Sequence, residues 1–357
     1  MDDLYCLIMS GGQGTRFWPE STRKKPKQYL KLLGNKTLLQ QTLTRFSMIP
    51  QDQRYVVTVS SQARLVNDQC IGHLDETGII LEPTGRNTGP CILLSLAHLK
   101  ASGMGGSDVV AVMPADHIIL NHQGFQEVLL EAKNLAQKEQ SIVTIGVPPT
   151  FPHTGYGYIQ QGKNIQGSNA YQVQSFKEKP DGETAAKYVS EGNFLWNAGM
   201  FVATLDVFLQ ELEEHASEMF QHFSGLCENI HDPDKIKSLY EKIPKESIDY
   251  ALMEKTKKIL VIPARFDWND LGSWDALESV LEKKQENTCV NAEDYYFDNA
   301  KGNIVYAPGK FVSLINVQDL IVVCNDTSVL ILPKTDAQKV KKIVEHLADT
   351  PLGDKIL

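Results

Sequence analysis

Residues 4–32 read LYCLIMSGGQGTRFWPESTRKKPKQYLKL. The first six, Leu4 to Met9, form an apolar run short and dense enough for a buried strand. The run opens directly into Gly11, Gly12 and Gly14, whose backbone is free to take positive φ and to crowd a ligand. Peptide N–H groups of such a loop can converge on phosphate oxygens. Arg16, Arg23, Lys24, Lys25 and Lys27 then set cationic side chains along the same stretch. Close backbone approach followed by charge neutralisation is what a polyphosphate requires. The loop matches neither common phosphate motif. A dinucleotide fingerprint needs a third spaced glycine and an immediate helix, and here Gly14 is followed by Thr15-Arg16-Phe17. A P-loop needs four residues between its glycines and a Gly-Lys-Ser/Thr ending, which Gly34-Asn35-Lys36-Thr37 lacks.

Outward from this loop, strand-like and helix-like runs alternate over roughly the first 150 residues. Tyr55 to Val59, Ile79 to Leu81, Val109 to Met113 and Ile142 to Gly146 read as strands, with helical periodicity between them. The alternation predicts an α/β fold whose central sheet is mainly parallel and covered by helices on both faces. Ligands of such sheets bind at the carboxyl ends of strands, where both the glycine loop and Asp116 fall. From Phe151 to about Arg265 the pattern loosens into short strands and several helices. After Trp268 to Trp274 a helix is expected to about Lys284. Residues 288–332 hold no helical period but carry short β-branched runs between Gly, Asn and Asp turns, the pattern of a small β module. An amphipathic helix, Asp336 to Leu347, follows. The expected division is a catalytic domain over 1–285 and a C-terminal module over 286–357.

A chain of 357 residues can bury one large core plus a smaller module. Its formal net charge of −9 argues against a nucleic-acid partner, since duplex binding needs a basic face. A basic loop in an acidic protein suits a small polyanion drawn to one place. The first residues do not read as a signal peptide, and no apolar run approaches the length that spans a bilayer, so a cytoplasmic protein with no membrane partner is expected. Six scattered cysteines indicate neither a disulfide framework nor a zinc site.

The string GGxGTRxWP…PKQ resembles the signature of sugar-phosphate nucleotidyltransferases, and specifically of the mannose-1-phosphate guanylyltransferase branch. The resemblance runs from Leu4 to about Leu347 through six ordered motifs. It implies a Rossmann-like nucleotidyltransferase domain followed by a short left-handed β-helix-like segment, which in relatives supports dimerisation. By the match of Gly11, Gly12, Gly14 and Thr15 the loop binds nucleotide, with Arg16 and Lys27 as cations on the transferred phosphate and the leaving pyrophosphate. PADH and WNDLGSW match motifs whose aspartates, Asp116 and Asp270, bind Mg²⁺. Read alone, Asp116 is expected to be a helix N-cap, a common place for aspartate. EPTGRNTGP resembles a segment that contacts base and ribose, which points to Gly85, Arg86, Asn87 and Thr88. Gly89 stands there for a more usual alanine, a small-for-small change expected to matter little. GYG, FKEKP and WNAGMF look like the sugar-phosphate motifs, giving Gly157, Glu178, Lys179 and Asn197. His117 is expected to be structural, and Arg23, Lys24 and Lys25 a solvated patch.

The reaction implied by the resemblance joins GTP and α-D-mannose 1-phosphate to GDP-mannose and diphosphate. The sugar phosphate is itself the nucleophile, so no protein nucleophile is needed; positioning and electrostatics suffice. The resemblance also implies a homodimer. Larger relatives append an isomerase barrel that this chain is too short to hold, so no isomerase activity is expected. The competing readings are transfer to another sugar 1-phosphate, such as a heptose or glucose, and a catalytically silent nucleotide-sugar sensor.

Overall fold

The computed structural model describes residues 3–12, 14–75 and 77–357. It divides into two compact units. The first comprises residues 1–11, 45–114 and 119–268, the second residues 12–44, 115–118 and 269–357.

The first unit is built on one nine-stranded sheet. Its strands are β1 (Leu4–Met9), β2 (Arg54–Val59), β3 (Ile79–Glu82), β4 (Val109–Pro114), β5 (Ile142–Val147), β6 (Tyr158–Asn164), β7 (Tyr171–Lys177), β8 (Phe194–Thr204) and β9 (Ile259–Pro263). Their order across the sheet is β3-β2-β1-β4-β8-β5-β9-β7-β6. The parallel expectation holds for β3-β2-β1-β4 and for β5 beside β9. It does not hold where β8 enters, antiparallel to β4, β5 and β6, so the sheet as a whole is mixed. An apolar run reports burial but not direction, which is why composition alone left β8 unoriented. The helix Thr88–Ala101 buries ten of its residues, seven of them in the main core, as expected for a helix apolar on all sides. Asn87 caps it by accepting from Thr88 N.

In the second unit, β10 (Thr288–Val290), β12 (Ile304–Tyr306) and β14 (Leu320–Cys324) stack in parallel, closed by an antiparallel β15 (Val329–Pro333). A second parallel pair joins β11 (Asp294–Asp298) to β13 (Phe311–Ile315). Parallel strands on two faces, with each turn of chain stacked on the last, make a β-helix. Thr288 aligns with Ile304 and Ile304 with Ile321, so the coils advance in steps of about 17 residues. Asparagines hold the corners. Asn303 gives its amide to Asn287 Oδ1 (2.9 Å) and Val317 O (3.1 Å), and its Oδ1 accepts from Leu320 N (3.0 Å). Because Asn303 is fully buried, Asn303→Ala removes three buried hydrogen bonds at once, while Asn287 Oδ1 keeps its bond from the residue 303 backbone N–H. The expected loss is about 2–4 kcal/mol in denaturant unfolding, against under about 1 kcal/mol if the ladder is dispensable.

The core of the second unit mixes two distant parts of the chain. Phe17, Trp18, Leu30 and Leu32 from the glycine-loop segment pack with Leu271, Trp274, Ile304, Tyr306, Ile321 and Val340. The Trp274 indole lies 4.9 Å from Phe17 and 5.1 Å from Tyr306, and its N–H donates to Trp18 O. The helix expected to reach Lys284 is shorter, a 3₁₀ turn followed by Leu277–Val280. The terminal helix starts at Val340 after a 3₁₀ segment, Lys334–Lys339. The six cysteines are free thiols. Among the described residues no helix is long and apolar enough to cross a membrane.

Candidate active site

The second unit gathers Arg16, Lys27, Asp116 and Asp270. Lys27, buried to all but 5% of its surface, donates its ammonium to Asp116 Oδ2 (2.8 Å) and to the Asp270 backbone carbonyl (2.5 Å). A buried cation between residues 89 and 243 positions away ties three chain segments into one point. Burial works to raise the Asp116 carboxyl, but the charges of Lys27 and His117 and the Lys27 hydrogen bond more than offset it. Its pKa is lowered from the ordinary 3.8, and it stays ionised through neutral pH. Asp116 is not a helix cap: the next helix, His122–Glu139, is capped by Asn121.

Gly14 takes φ 61° and begins the 3₁₀ turn Thr15–Phe17. A Cβ on Gly14 would fall inside the Lys27 side chain, so glycine here is what lets Lys27 pass. Gln28 Nε2 donates to Gly12 O (3.0 Å) and steadies the loop. Leu271, directly after Asp270, holds the left-handed conformation (φ 45°), and its N–H donates to Asn269 Oδ1. A leucine there stores strain of about 1–3 kcal/mol, kept by its full burial. The Asp270 carboxylate and Arg16 Nη1 both flank Gly272, 3.4 Å and 3.6 Å from where its Cβ would stand, which puts the two side chains in one neighbourhood. Arg16 donates to Gln338 Oε1 (3.2 Å), and Gln338 donates in turn to Ser273 Oγ (2.8 Å). Sequence reading missed Gln338, which lies 322 residues from its partner. Lys25 pairs with Glu20, while Arg23 and Lys24 are exposed, as a solvated patch would be.

Two carboxylates with an adjacent lysine suit a hard divalent cation, which takes oxygen donors and keeps waters and phosphate oxygens as its remaining ligands. Among the described residues, one other cluster of possible ligands, Glu211, Glu214 and His215, is already engaged: Thr256 and Lys258 bond the Glu211 carboxylate.

The first unit brings Gly157, Glu178, Lys179 and Asn197 together. A Cβ on Gly157 would collide with Glu178 Oε2, and Asn197 N donates to Gly157 O (2.8 Å). Glu178 Oε1 pairs with Lys179 Nζ at 2.8 Å, and Oε2 is buried with no hydrogen-bond partner among the described residues. A buried acceptor left open has capacity for one more hydrogen bond. Lys179 stands at φ 47°. Missing from the sequence reading is Asp249, which accepts from Asn197 Nδ2 (2.9 Å). Burial and the neighbouring Glu178 charge raise its carboxyl to about 6.

In the segment 82–90 most side chains have internal tasks. Arg86 donates twice to Ile243 O (3.1 and 2.8 Å), Asn87 caps a helix, and Thr88 Oγ1 accepts from Ile248 N (2.9 Å). Glu82 is buried and accepts from the Tyr240 hydroxyl. A Cβ on Gly85 would make ordinary contact with Val59 at 3.6 Å, and Gly11 lies beside Glu82. Gly89 is not the neutral exchange expected from sequence. An added Cβ would meet Glu246 O at 2.7 Å and Met219 Cε at 2.6 Å, so this chain needs glycine there.

The nucleotidyl transferase family profile matches residues 5–287, and the MannoseP isomerase/GMP-like beta-helix domain matches residues 299–347. The chain belongs to the nucleotidyl transferase family. Within it, the kinship is with mannose-1-phosphate guanylyltransferases. A putative mannose-1-phosphate guanylyltransferase of Vibrio cholerae serotype O1 is 37% identical over 349 residues, spanning 96% of this chain and 74% of the relative. The alginate biosynthesis protein AlgA of Pseudomonas aeruginosa is 36% identical over 347 residues, 96% of this chain and 71% of its own. A solved structure described as mannose-1-phosphate geranyltransferase from Thermus thermophilus superposes with a TM-score of 0.89 at 30% identity, over 97% of this chain and 99% of that one. The nucleotidyltransferase is thus an enzyme by family, with the β-helix expected of its C-terminal segment.

Proposed function

We propose that this nucleotidyltransferase condenses GTP with α-D-mannose 1-phosphate to GDP-mannose and diphosphate, with Mg²⁺ as its cation. The observation that carries the reading is Lys27, buried and clamped between Asp116 and Asp270. Transfer at the α-phosphorus demands that negative charge be offset on both the transferred and the leaving phosphates. Lys27 and Arg16 supply fixed positive charge, Arg16 as a planar fork and Lys27 as a point charge. Asp116 and Asp270 would hold the metal, which when bound shields the triphosphate. The N–H groups around Gly11, Gly12, Gly14 and Thr15 would cradle phosphate oxygens, and the backbone of Gly85, Arg86, Asn87 and Thr88 would line the base and ribose. Glu178, Asn197 and the Gly157 backbone would bind sugar hydroxyls, and Lys179 the sugar phosphate. The sugar phosphate attacks in line, already ionised, and no group on the protein needs to remove a proton.

The relatives' names support guanine and mannose, and the open Glu178 acceptor supports a polyhydroxylated substrate. We assign residues 286–357 to a homodimer contact as well, supported by the exposed Tyr296, Phe311, Ile315, Val329 and Ile331, and the reaction to the cytoplasm. The test is pyrophosphate release with Mg²⁺, crossing five nucleoside triphosphates with mannose, glucose and heptose 1-phosphates. Release confined to GTP with mannose 1-phosphate is expected, with no mannose 6-phosphate formed from fructose 6-phosphate. Release with another pair moves the specificity, and none with any pair favours the silent sensor. Sedimentation at assay concentration reads the dimer.

A further inference from the structure

The segment Ile243–Asp249 crosses from the start of the helix Thr88–Ala101 to the sugar-phosphate cluster. Four hydrogen bonds fasten it: two from Arg86 to Ile243 O, one from Gly89 N to Glu246 O (3.1 Å), and one from Ile248 N to Thr88 Oγ1. Each comes from the segment read as the nucleotide contact. The far end opens a single π-helical turn, Asp249–Met253. Such turns are rare and concentrate where function needs an unusual side-chain direction. Asp249 at its start accepts from Asn197 Nδ2, and Glu254 just past its end accepts from Glu178 N (2.9 Å). One turn therefore touches two of the residues that would bind the sugar.

The Asn197 amide is fixed at both ends. Its Oδ1 accepts from Gly199 N (2.9 Å) and one hydrogen of Nδ2 goes to Asp249, so the amide can face only one way. The second Nδ2 hydrogen is then aimed, with no rotamer left to choose.

We propose that Asp249 is a positioning residue of the sugar-phosphate site, setting the Asn197 amide, and that the strap Ile243–Asp249 hangs this setting on the nucleotide segment. The proposal rests on the functional reading above. Binding of nucleotide along residues 85–88 and binding of sugar phosphate then share one mechanical element, and disturbing the strap's anchor alters sugar affinity at a distance. The charged groups facing Asp249 are Glu178 and Lys179. Burial and Glu178 hold its proton on up to about pH 6. Below that pH the carboxyl is neutral and Glu178 is relieved of a like charge; above it, the repulsion is present and is shared with Lys179.

The experiment is steady-state kinetics on the full chain, wild type first, with Asp249→Ala, Asp249→Asn and Gly89→Ala. Asp249→Ala is expected to raise the sugar-phosphate KM about tenfold or more while leaving the GTP KM within about twofold. Asp249→Asn still offers an acceptor to Asn197 and is expected to restore the KM to within about threefold of wild type at neutral pH. The ratio of sugar-phosphate KM between wild type and Asp249→Asn should change across about pH 6. The substrate's own second ionisation, also near about 6, is common to both proteins and cancels in the ratio. Gly89→Ala, pressing on Glu246 O, is expected to raise the same KM about threefold or more without touching sugar. Equal changes in both KM values, no change, or failure of asparagine to rescue would overturn the proposal. Should Asp249→Ala not fold, the pH ratio and Gly89→Ala decide. Wild-type inactivity with GTP and mannose 1-phosphate defeats the functional reading instead. The same ratios are then taken with the sugar phosphate that is turned over, or by calorimetric binding of mannose 1-phosphate if none is.

Discussion

Lys27→Met is expected to lower nucleotidyl transfer about a thousandfold, with little change in the KM for either substrate beyond about threefold. The ammonium removed is buried and bonded to a carboxylate and to a carbonyl on two other segments. Methionine keeps the length and apolar stem, so the loss isolates charge from packing. Stability should fall by about 1–3 kcal/mol, since Asp116 keeps a negative charge without its partner but remains partly hydrated. The sign with pH follows from the lowered Asp116 pKa. The ion pair contributes stability above the ordinary carboxylate range and loses it as pH falls through the depressed value. Without Lys27 that carboxyl titrates higher, and the acid limb of unfolding moves up in pH. Turnover within about tenfold of wild type would remove Lys27 from the chemistry.

The second large effect belongs to Gly14. Gly14→Ala is expected to cost about 2–4 kcal/mol of stability and about a hundredfold or more in turnover. Two penalties coincide at one atom: φ 61° disfavours any side chain, and the new methyl occupies the place of the Lys27 side chain. Relief requires moving either the loop backbone or the lysine, and either displaces the cation from Asp116. Gly12 supplies the contrast, since a Cβ there meets nothing within 4 Å. Gly12→Ala should keep stability within about 0.5 kcal/mol. Denaturant melts of the two variants side by side separate loop geometry from general glycine loss. Equal stability of the two would mean that Lys27 yields to the methyl easily.

Some of this architecture was legible because the information is contiguous. β1 runs into its glycine loop without a break, and the strand runs to Gly146 carry their burial in their own composition. The antiparallel entry of β8 was not, because an apolar string has no arrow. Asp116 looked like a cap from sequence, and only the position of Asn121 at the true helix start removes that role. Lys27 could be named by resemblance, yet its bond to the Asp270 carbonyl exists only after 243 residues of chain have folded back. Asp249 was hidden for a different reason: it sits in a stretch read simply as helical, and a single π-turn has no sequence period of its own. Gly89 was misjudged because size was compared without the carbonyl of Glu246 above it. The β runs after Thr288 were visible, but their packing on Phe17, Trp18 and Trp274 was not, since no periodicity records a partner hundreds of residues away.

That stack of parallel turns has a consequence for how the chain can change length. Successive coils stack residue on residue, Thr288 on Ile304 and Ile304 on Ile321, with Asn303 bonded to Asn287 on one side and to Leu320 N on the other. An insertion or deletion inside it is therefore quantised. Removing a whole coil of about 17 residues would leave each later residue with an equivalent neighbour, and removing about five would rotate every later side chain out of place. Since Tyr306, Ile321 and Val340 pack in the same core as Phe17 and Trp274, such a slip would be felt at the glycine loop as well. Length in this segment is free to drift only in whole turns.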